Sequence, residues 1–71
     1  MANDLNRKFG EKIRRLRKKR DWKLVDLSVA AGLGRVFLSN LENGKHEPKL
    51  GTIKKLANAF GLTASQLLKG L

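Results

Sequence analysis

The sequence predicts an all-α fold, a compact bundle of five short helices in a single domain that spans residues 1–71. Apolar residues recur at three- and four-residue spacing in five separate segments, as they do on the buried face of a helix. Glycine or clustered polar residues separate these segments, and none of them shows the apolar–polar alternation of a strand. A chain of 71 residues without cysteine has room for one modest core and forms no disulfide.

The first predicted helix begins at Asn3 or Asp4, since either side chain can cap its N-terminus, and runs to about Arg20. Its apolar stripe consists of Leu5, Phe9, Ile13 and Leu16. More than half of the basic residues lie on this helix, an excess larger than its dipole requires. Trp22 follows, and we expect it to pack into the core where the first helix meets the second.

The second predicted helix, Leu24 to Ala31, is separated from the third by Gly32, Leu33 and Gly34. Gly32 ends one helix, Leu33 is expected to be buried, and Gly34 opens the next helix. Two short helices joined by a three-residue turn that contains glycine form a helix-turn-helix pattern.

The third predicted helix has two different faces, and Gly44 is the glycine stop that follows it. The inward face carries Leu38, Leu41 and Glu42, and the outward face carries Arg35, Val36, Ser39 and Asn40. A long cation, a methyl surface, a hydroxyl and an amide are the groups that read base edges in the major groove of DNA.

A polar loop with the lone His46, which we expect to be exposed, leads to two more helices. The fourth helix, about Lys49 to Phe60, has an apolar stripe of Leu50, Ile53, Leu56, Ala57 and Phe60. Gly61 ends it, and Thr63 caps a fifth helix from Ala64 to Lys69 in a capping box with Gln66. Leu67 and Leu68 are expected to point inward.

The charge balance narrows the class of partner. Sixteen basic and 6 acidic residues give a net charge of +10, which favours a polyanion such as nucleic acid. One histidine, no cysteine and no acidic pair at catalytic or ligand spacing predict no enzyme, no metal site, no cofactor and no small-molecule substrate. Without an apolar run of about 18 residues or an apolar signal region, we expect a soluble, cytoplasmic protein with no membrane partner.

These segments together resemble the Cro/C1-type (XRE-like) helix-turn-helix family of phage and bacterial repressors. The most specific part is Leu41-Glu42-Asn43-Gly44, followed at loop distance by Pro48, and the resemblance covers about residues 9–69. It implies a lambda-repressor-like DNA-binding domain whose third helix lies in the major groove.

The resemblance also implies roles for single residues. Arg35 would contact guanine, Val36 a thymine methyl group and Asn40 adenine, with Ser39 reaching a base or a phosphate between them. The DNA backbone would be held by Lys23, Asn43 (through its amide or its backbone N–H), Lys45 and Lys49. Arg17 and Glu42 would form an ion pair between the first and third helices. A dimer contact would involve Gly61, Leu62, Thr63 and Ala64, extended by Leu68 and Leu71.

The second helix departs from the family pattern. Leu24 stands where a phosphate-binding glutamine is usual, and Lys23 stands where a capping serine or threonine is usual. Leu24, Val25 and Val29 make this helix unusually apolar. The sequence therefore predicts a homodimeric transcriptional regulator, a repressor that binds an inverted repeat in double-stranded DNA. The alternative is a protein-interaction module, an antitoxin or accessory subunit that uses the apolar face of the second helix.

Overall fold

The computed structural model describes residues 4–71, and this part of the chain contains five α-helices and no strand. The helices are α1 (Asp4–Lys19), α2 (Leu24–Ala31), α3 (Arg35–Glu42), α4 (Leu50–Ala59) and α5 (Ala64–Leu68). The predicted all-α bundle is confirmed, and the predicted ends of α1, α4 and α5 differ from the observed ends by one residue. Asn3, one of the two predicted caps, lies outside the described residues.

The helices end in the same way along most of the chain. A residue with a positive φ follows α1, α2, α3 and α4, and in chain order these are Asp21, Gly32, Gly44 and Gly61. After α1, the N–H of Asp21 bonds the carbonyl of Lys18 at 2.9 Å and the N–H of Trp22 bonds that of Arg17 at 3.1 Å. This is the Schellman pattern, which satisfies the last carbonyls of a helix and usually employs glycine at the left-handed residue. Asp21 is the exception, with φ +57°.

One apolar core joins all five helices. Its buried members are Phe9, Ile13, Leu27, Ala31, Leu38, Leu41, Leu56, Ala57, Phe60 and Leu67. Three leucines that the helical spacing placed in the core are exposed instead: Leu5 (56%), Leu50 (85%) and Leu68 (40%). The spacing was wrong for them because they sit in the first or last turn of their helices, at the edge of the core rather than in its middle. Leu33 is half-buried rather than buried.

The helix-turn-helix forms around a short turn. The axes of α2 and α3 are bent by 111° at the turn of residues 32–34, within the range typical of this motif. No single helix among residues 4–71 is long and apolar enough to cross a membrane; only α2 and α3 taken together reach that length and composition, across this bend. Their apolar residues Leu27, Leu38 and Leu41 are buried in the core.

The first helix lies very close to the end of α3. A Cβ atom added to Gly10 would lie 2.3 Å from the carbonyl oxygen of Leu41 and 2.7 Å from that of Glu42. Because real Cβ atoms do not approach backbone oxygens this closely, only glycine allows the observed spacing. Gly10 therefore sets the distance between α1 and α3.

The end of α1 is fastened to the end of α4. Trp22 and Phe60 stack with ring centroids 5.8 Å apart, and the Arg20 guanidinium lies 5.3 Å from each centroid. Arg20 also donates a hydrogen bond to the carbonyl of Phe60. Trp22 thus packs against the core at the junction of α1 and α2, as predicted, although it is only half-buried.

Candidate nucleic-acid interface

The third helix presents the predicted outward residues to solvent. Arg35 and Val36 are exposed, and Val36 keeps 78% of its accessible surface. Ser39 and Asn40, one turn further on, are half-buried. Leu38 and Leu41 are fully buried on the opposite side. The helix therefore offers a narrow strip of mixed polar and apolar groups, and its opposite face is packed into the core.

A buried carboxylate holds the C-terminal end of α3. The Glu42 side chain is 2% exposed, and Arg17 binds it through two bonds, Nε to Oε2 at 2.7 Å and Nη2 to Oε1 at 3.0 Å. Arg17 Nη1 donates to the carbonyl of Trp22 at 2.9 Å. The hydrogen bonds to Glu42 raise the pKa of the Arg17 guanidinium above its ordinary value, although burial acts in the opposite direction. A buried pair of this kind is stable only when its remaining hydrogen-bonding capacity is used, as it is here.

Arg14 was not singled out from the sequence, yet it joins the same cluster. Its Nε lies 3.3 Å from Glu42 Oε1, and its Nη2 donates to Asn43 Oδ1 at 2.8 Å. The available signal was its position three residues before Arg17, which puts both arginines on one side of α1. Two guanidinium groups around one carboxylate leave a net positive charge beside Asn43.

The geometry distinguishes two ways in which Asn43 can meet a phosphate. Its backbone N–H already donates to the carbonyl of Ser39 at 3.1 Å. Its side-chain oxygen is occupied by Arg14. The side-chain Nδ2 group remains as the donor, so the side-chain amide, rather than the backbone, is the group that could donate a hydrogen bond to a ligand.

The N-terminus of α2 is capped even though Lys23 stands where the family pattern has a capping serine or threonine. The Lys23 side chain makes no cap hydrogen bond, but the Asp26 carboxylate accepts the backbone N–H of Lys23 at 2.7 Å. This is one half of a capping box, and the acidic group also suits the positive end of the helix dipole. Lys23 is exposed and Leu24 is half-buried against the core.

A shallow notch of about 430 Å³ separates the N-terminal turns of α2 and α3. Its walls are formed by Lys23, Leu24, Val25, Arg35, Val36 and Ser39. The structure thus brings a predicted backbone-binding lysine beside three of the predicted base-reading residues.

The loop after α3 carries the other predicted phosphate contacts. Lys45 and Lys49 are exposed on either side of His46. The His46 ring stacks on Phe37 with centroids 5.4 Å apart and an angle of 16° between the planes. His46 is exposed, as predicted, and this contact fastens the loop to α3.

The predicted dimer contact lies in the turn between α4 and α5 and at the start of α5. Gly61, Thr63 and Ala64 are exposed, and Leu62 is half-buried against the core. An apolar groove of about 300 Å³ lies beside the end of α5 and is lined by residues of α1, α4, α5, the loop before α4 and the last residue of the chain. Its apolar lining residues are Leu5, Phe9, Pro48, Ile53, Leu68 and Leu71.

Comparison with known proteins agrees with this geometry. A family model described as helix-turn-helix matches residues 13–67. The chain is 39% identical over 64 residues to the HTH-type transcriptional regulator DdrOP3 of Deinococcus deserti, covering 90% of this chain and 50% of that protein. It is 33% identical over 70 residues to the control protein C.MunI of a Mycoplasma species, covering 97% of this chain and 95% of that one.

The crystal structure of the restriction-modification controller protein C.AhdI from Aeromonas hydrophila has the same fold. It superposes with a TM-score of 0.83 at 33% identity, covering 90% of this chain and 96% of that chain. The chain therefore spans half the length of DdrOP3 and nearly the whole length of the two controller proteins.

Proposed function

Because this chain belongs to the helix-turn-helix family, we propose that it is a DNA-binding transcriptional regulator that reads a specific double-stranded sequence with α3 in the major groove. The observation that carries the proposal is the outward strip of α3 and the way it is held. Arg35 and Val36 are free to meet bases, while the Arg17–Glu42 pair fixes the helix behind them. Fixed placement matters because base readout depends on hydrogen-bond geometry.

Different residues of the strip along α3 suit different base edges. Arg35, at the exposed N-terminal end, has the reach for a bidentate contact to guanine O6 and N7. Asn40 suits the N6 and N7 edge of adenine, and Ser39 suits either a base or a phosphate. Val36 supplies an apolar surface between them.

The backbone contacts surround this strip. Lys23 lies at the start of α2, and Lys45 and Lys49 lie on the loop after α3. The Asn43 amide lies at the end of α3 beside two arginines. These groups set the register of the protein on the duplex and supply affinity without reading sequence.

The proposal includes a homodimer that binds an inverted repeat and represses transcription by occupying a promoter. Residues 61–64 form the predicted contact, and the exposed leucines next to them support it. Ala64 and Leu68 share one face of α5, and Leu5 and Leu71 continue the same apolar surface. Burying this surface against a second copy would place two α3 helices in successive major grooves about 34 Å apart.

The dimer is tested by sedimentation velocity with one disruptive and one neutral variant. Leu68→Lys is expected to shift the protein to the monomer, whereas Ser65→Lys, an equally large charge change on another exposed side of α5, leaves the dimer intact. A wild-type monomer at all concentrations, both with and without operator DNA, would remove the dimer from the proposal.

Base readout is tested by selecting duplexes from a random pool at physiological salt. Arg35→Ala is expected to lower affinity for the selected duplex by about 1–3 kcal/mol and to relax preference at one base pair. Lys49→Ala is expected to weaken all sequences about equally. Arg15→Ala removes the same charge from an exposed position near Lys12, away from α3, and is the matched control. No enriched sequence, together with an unchanged affinity for Arg35→Ala, would refute sequence-specific binding.

A second function, as a protein-interaction module, is favoured by one observation. Val29 on α2 is 79% exposed, and Val25 is 43% exposed on the same helix. A partner protein that covered α2 would bury both valines. Val29→Asp is then expected to abolish binding of that partner and to leave DNA binding unchanged, whereas a DNA-binding regulator without such a partner shows no defect.

A further inference from the structure

The notch between α2 and α3 is lined partly by apolar side chains. Neither phosphate contacts nor hydrogen bonds to bases explain why apolar side chains stand there. Val36 is 78% exposed and Val25 is 43% exposed, and they face each other across it with Leu24 beside them. Leu24 also stands where the family resemblance leads one to expect a phosphate-binding glutamine. Three aliphatic side chains at the mouth of a DNA-reading surface offer no donor or acceptor.

The rim of the notch has the opposite character. Lys23 lies on the α2 side and Arg35 on the α3 side, and the Ser39 hydroxyl completes the wall. Positive groups at a rim attract phosphates and the acceptor edge of guanine toward both sides of the opening. A double helix drawn in this way would present the edges of its base pairs to an apolar surface.

Only one kind of group in the major groove suits such a surface. The base edges display hydrogen-bond donors and acceptors except at C5 of the pyrimidines, where thymine carries a methyl group that projects into the groove and cytosine carries only a hydrogen. Cytosine methylated at C5 displays the same methyl group in the same place. An amide, carbonyl or ring nitrogen placed in the notch would lose its hydrogen bonds to water without gaining others.

We infer that Leu24, Val25 and Val36 form a specificity subsite for the C5-methyl group of a pyrimidine, next to a guanine contacted by Arg35. The inference rests on the proposed function and deepens it. It extends the single contact expected of Val36 to a site built by two helices, and it gives the unusual Leu24 a purpose. The ligand is the methyl group itself, carried by thymine or by 5-methylcytosine.

The first experiment removes or adds that methyl group alone. In the duplex selected by the wild-type protein, each thymine is replaced in turn by deoxyuridine and each cytosine by 5-methylcytosine, and affinity is measured by fluorescence anisotropy. Burying one methyl group contributes about fourfold in affinity. A loss of about that size at one uridine in each half-site identifies thymine as the source. An equal gain at one methylated cytosine identifies 5-methylcytosine.

The second experiment assigns the effect to the notch. In Val25→Ala and in Val36→Ala, the response to the sensitive substitution is expected to shrink toward zero. Val29→Ala is the matched control, because Val29 is as exposed as Val36 and does not line the notch. All three variants change exposed valines, so thermal unfolding is expected to show unaltered folding.

The possible outcomes distinguish a failure of the methyl subsite from a failure of the proposed DNA-binding function. If the protein binds a selected duplex specifically but affinity does not respond to any uridine or 5-methylcytosine, the methyl subsite is wrong and the proposed function still stands. A response that persists in both valine variants also overturns it, since the methyl group is then read elsewhere. If no duplex is enriched, and a partner protein is lost in Val25→Ala, both the inference and the proposed function are wrong.

Discussion

Replacing Gly10 with alanine tests what holds α3 in position, because two physical effects predict opposite results. Gly10 lies in the middle of α1, where alanine normally stabilises a helix by about 0.5–1 kcal/mol over glycine. The added methyl group would also lie 2.3 Å from the Leu41 carbonyl oxygen on α3. Neither neighbour is the flexible end of a side chain, so the clash is relieved only if the helices move apart.

The size of that movement gives the size of the effect. An ordinary contact begins at 3.4 Å, so α1 and α3 must separate by about 1 Å. The same shift would lengthen the 2.7 Å bond between Arg17 Nε and Glu42 Oε2 beyond hydrogen-bonding distance. Overpacking alone costs about 1–3 kcal/mol, and the weakened buried pair adds to it. We therefore expect Gly10→Ala to lose about 3 kcal/mol, roughly 12–24 °C in melting temperature for a domain of this size.

Gly51→Ala is the matched control for this measurement. Gly51 is also helical, in α4, and a Cβ there would meet nothing within 4 Å. The same substitution is thus expected to stabilise the protein by up to about 1 kcal/mol. Urea unfolding followed by circular dichroism gives both values. If Gly10→Ala proves as stable as Gly51→Ala, the close packing of α1 on α3 does not set the spacing of the helices, and the reasoning fails.

Three further predictions concern other residues of α1 and of the turn that follows it. Arg17→Met is expected to destabilise the protein by about 3 kcal/mol, since Glu42 stays buried with only Arg14 to pair with, and a thermal melt within a few degrees of wild type would contradict this. Asp21→Gly is expected to stabilise it by about 0.5–1 kcal/mol by relieving the positive φ, as urea unfolding would show. Burial, followed by neighbouring positive charges, lowers the pKa of Lys12 below 10.5, so the unfolded chain holds that proton more tightly. This group's contribution to stability should therefore rise with pH just below 10.5, and an NMR titration that gave Lys12 an ordinary pKa would refute it.

The fold was predictable because local signals agreed with each other. The stripe along α1 and the glycine after each of α2, α3 and α4 located the helices to within one residue. The capping box of Thr63 and Gln66 is present, with bonds of 2.9 and 3.1 Å. Such signals act over four or five residues, so the sequence displays them directly.

The mistakes arose where burial depends on a distant neighbour. Leu5, Leu50 and Leu68 match the helical spacing as well as the buried leucines do, but they lie in the first or last turn of their helices and remain exposed. Arg14 was missed for the same reason, because its partners Glu42 and Asn43 lie about 30 residues away in the chain. Periodicity states which side of a helix is apolar, but it does not state where the neighbouring helix ends.

The contacts of the basic residues of α1 change how their positive charge is interpreted. Taken as a cluster, they indicate an electrostatic footprint for DNA, yet many bind within the molecule. Arg7 pairs with two carboxylates of its own helix, Arg14 and Arg17 hold the buried glutamate, and Arg20 stacks on two aromatic rings. Lys12 Nζ donates to two carbonyl oxygens at the end of α5, at 3.1 and 2.8 Å.

We therefore expect the charged phosphate contacts to come from the three proposed lysines, Lys23, Lys45 and Lys49, rather than from the whole net charge of +10. Affinity for duplex DNA depends on salt with a logarithmic slope of roughly −0.9 for each phosphate neutralised. Three lysines give about −2.7 per protomer, whereas the full net charge would give about −9. Titration of the selected duplex between 50 and 200 mM salt distinguishes these values. A slope near −9 would mean that α1 lies along the DNA and that its cations do more than hold α3 in place.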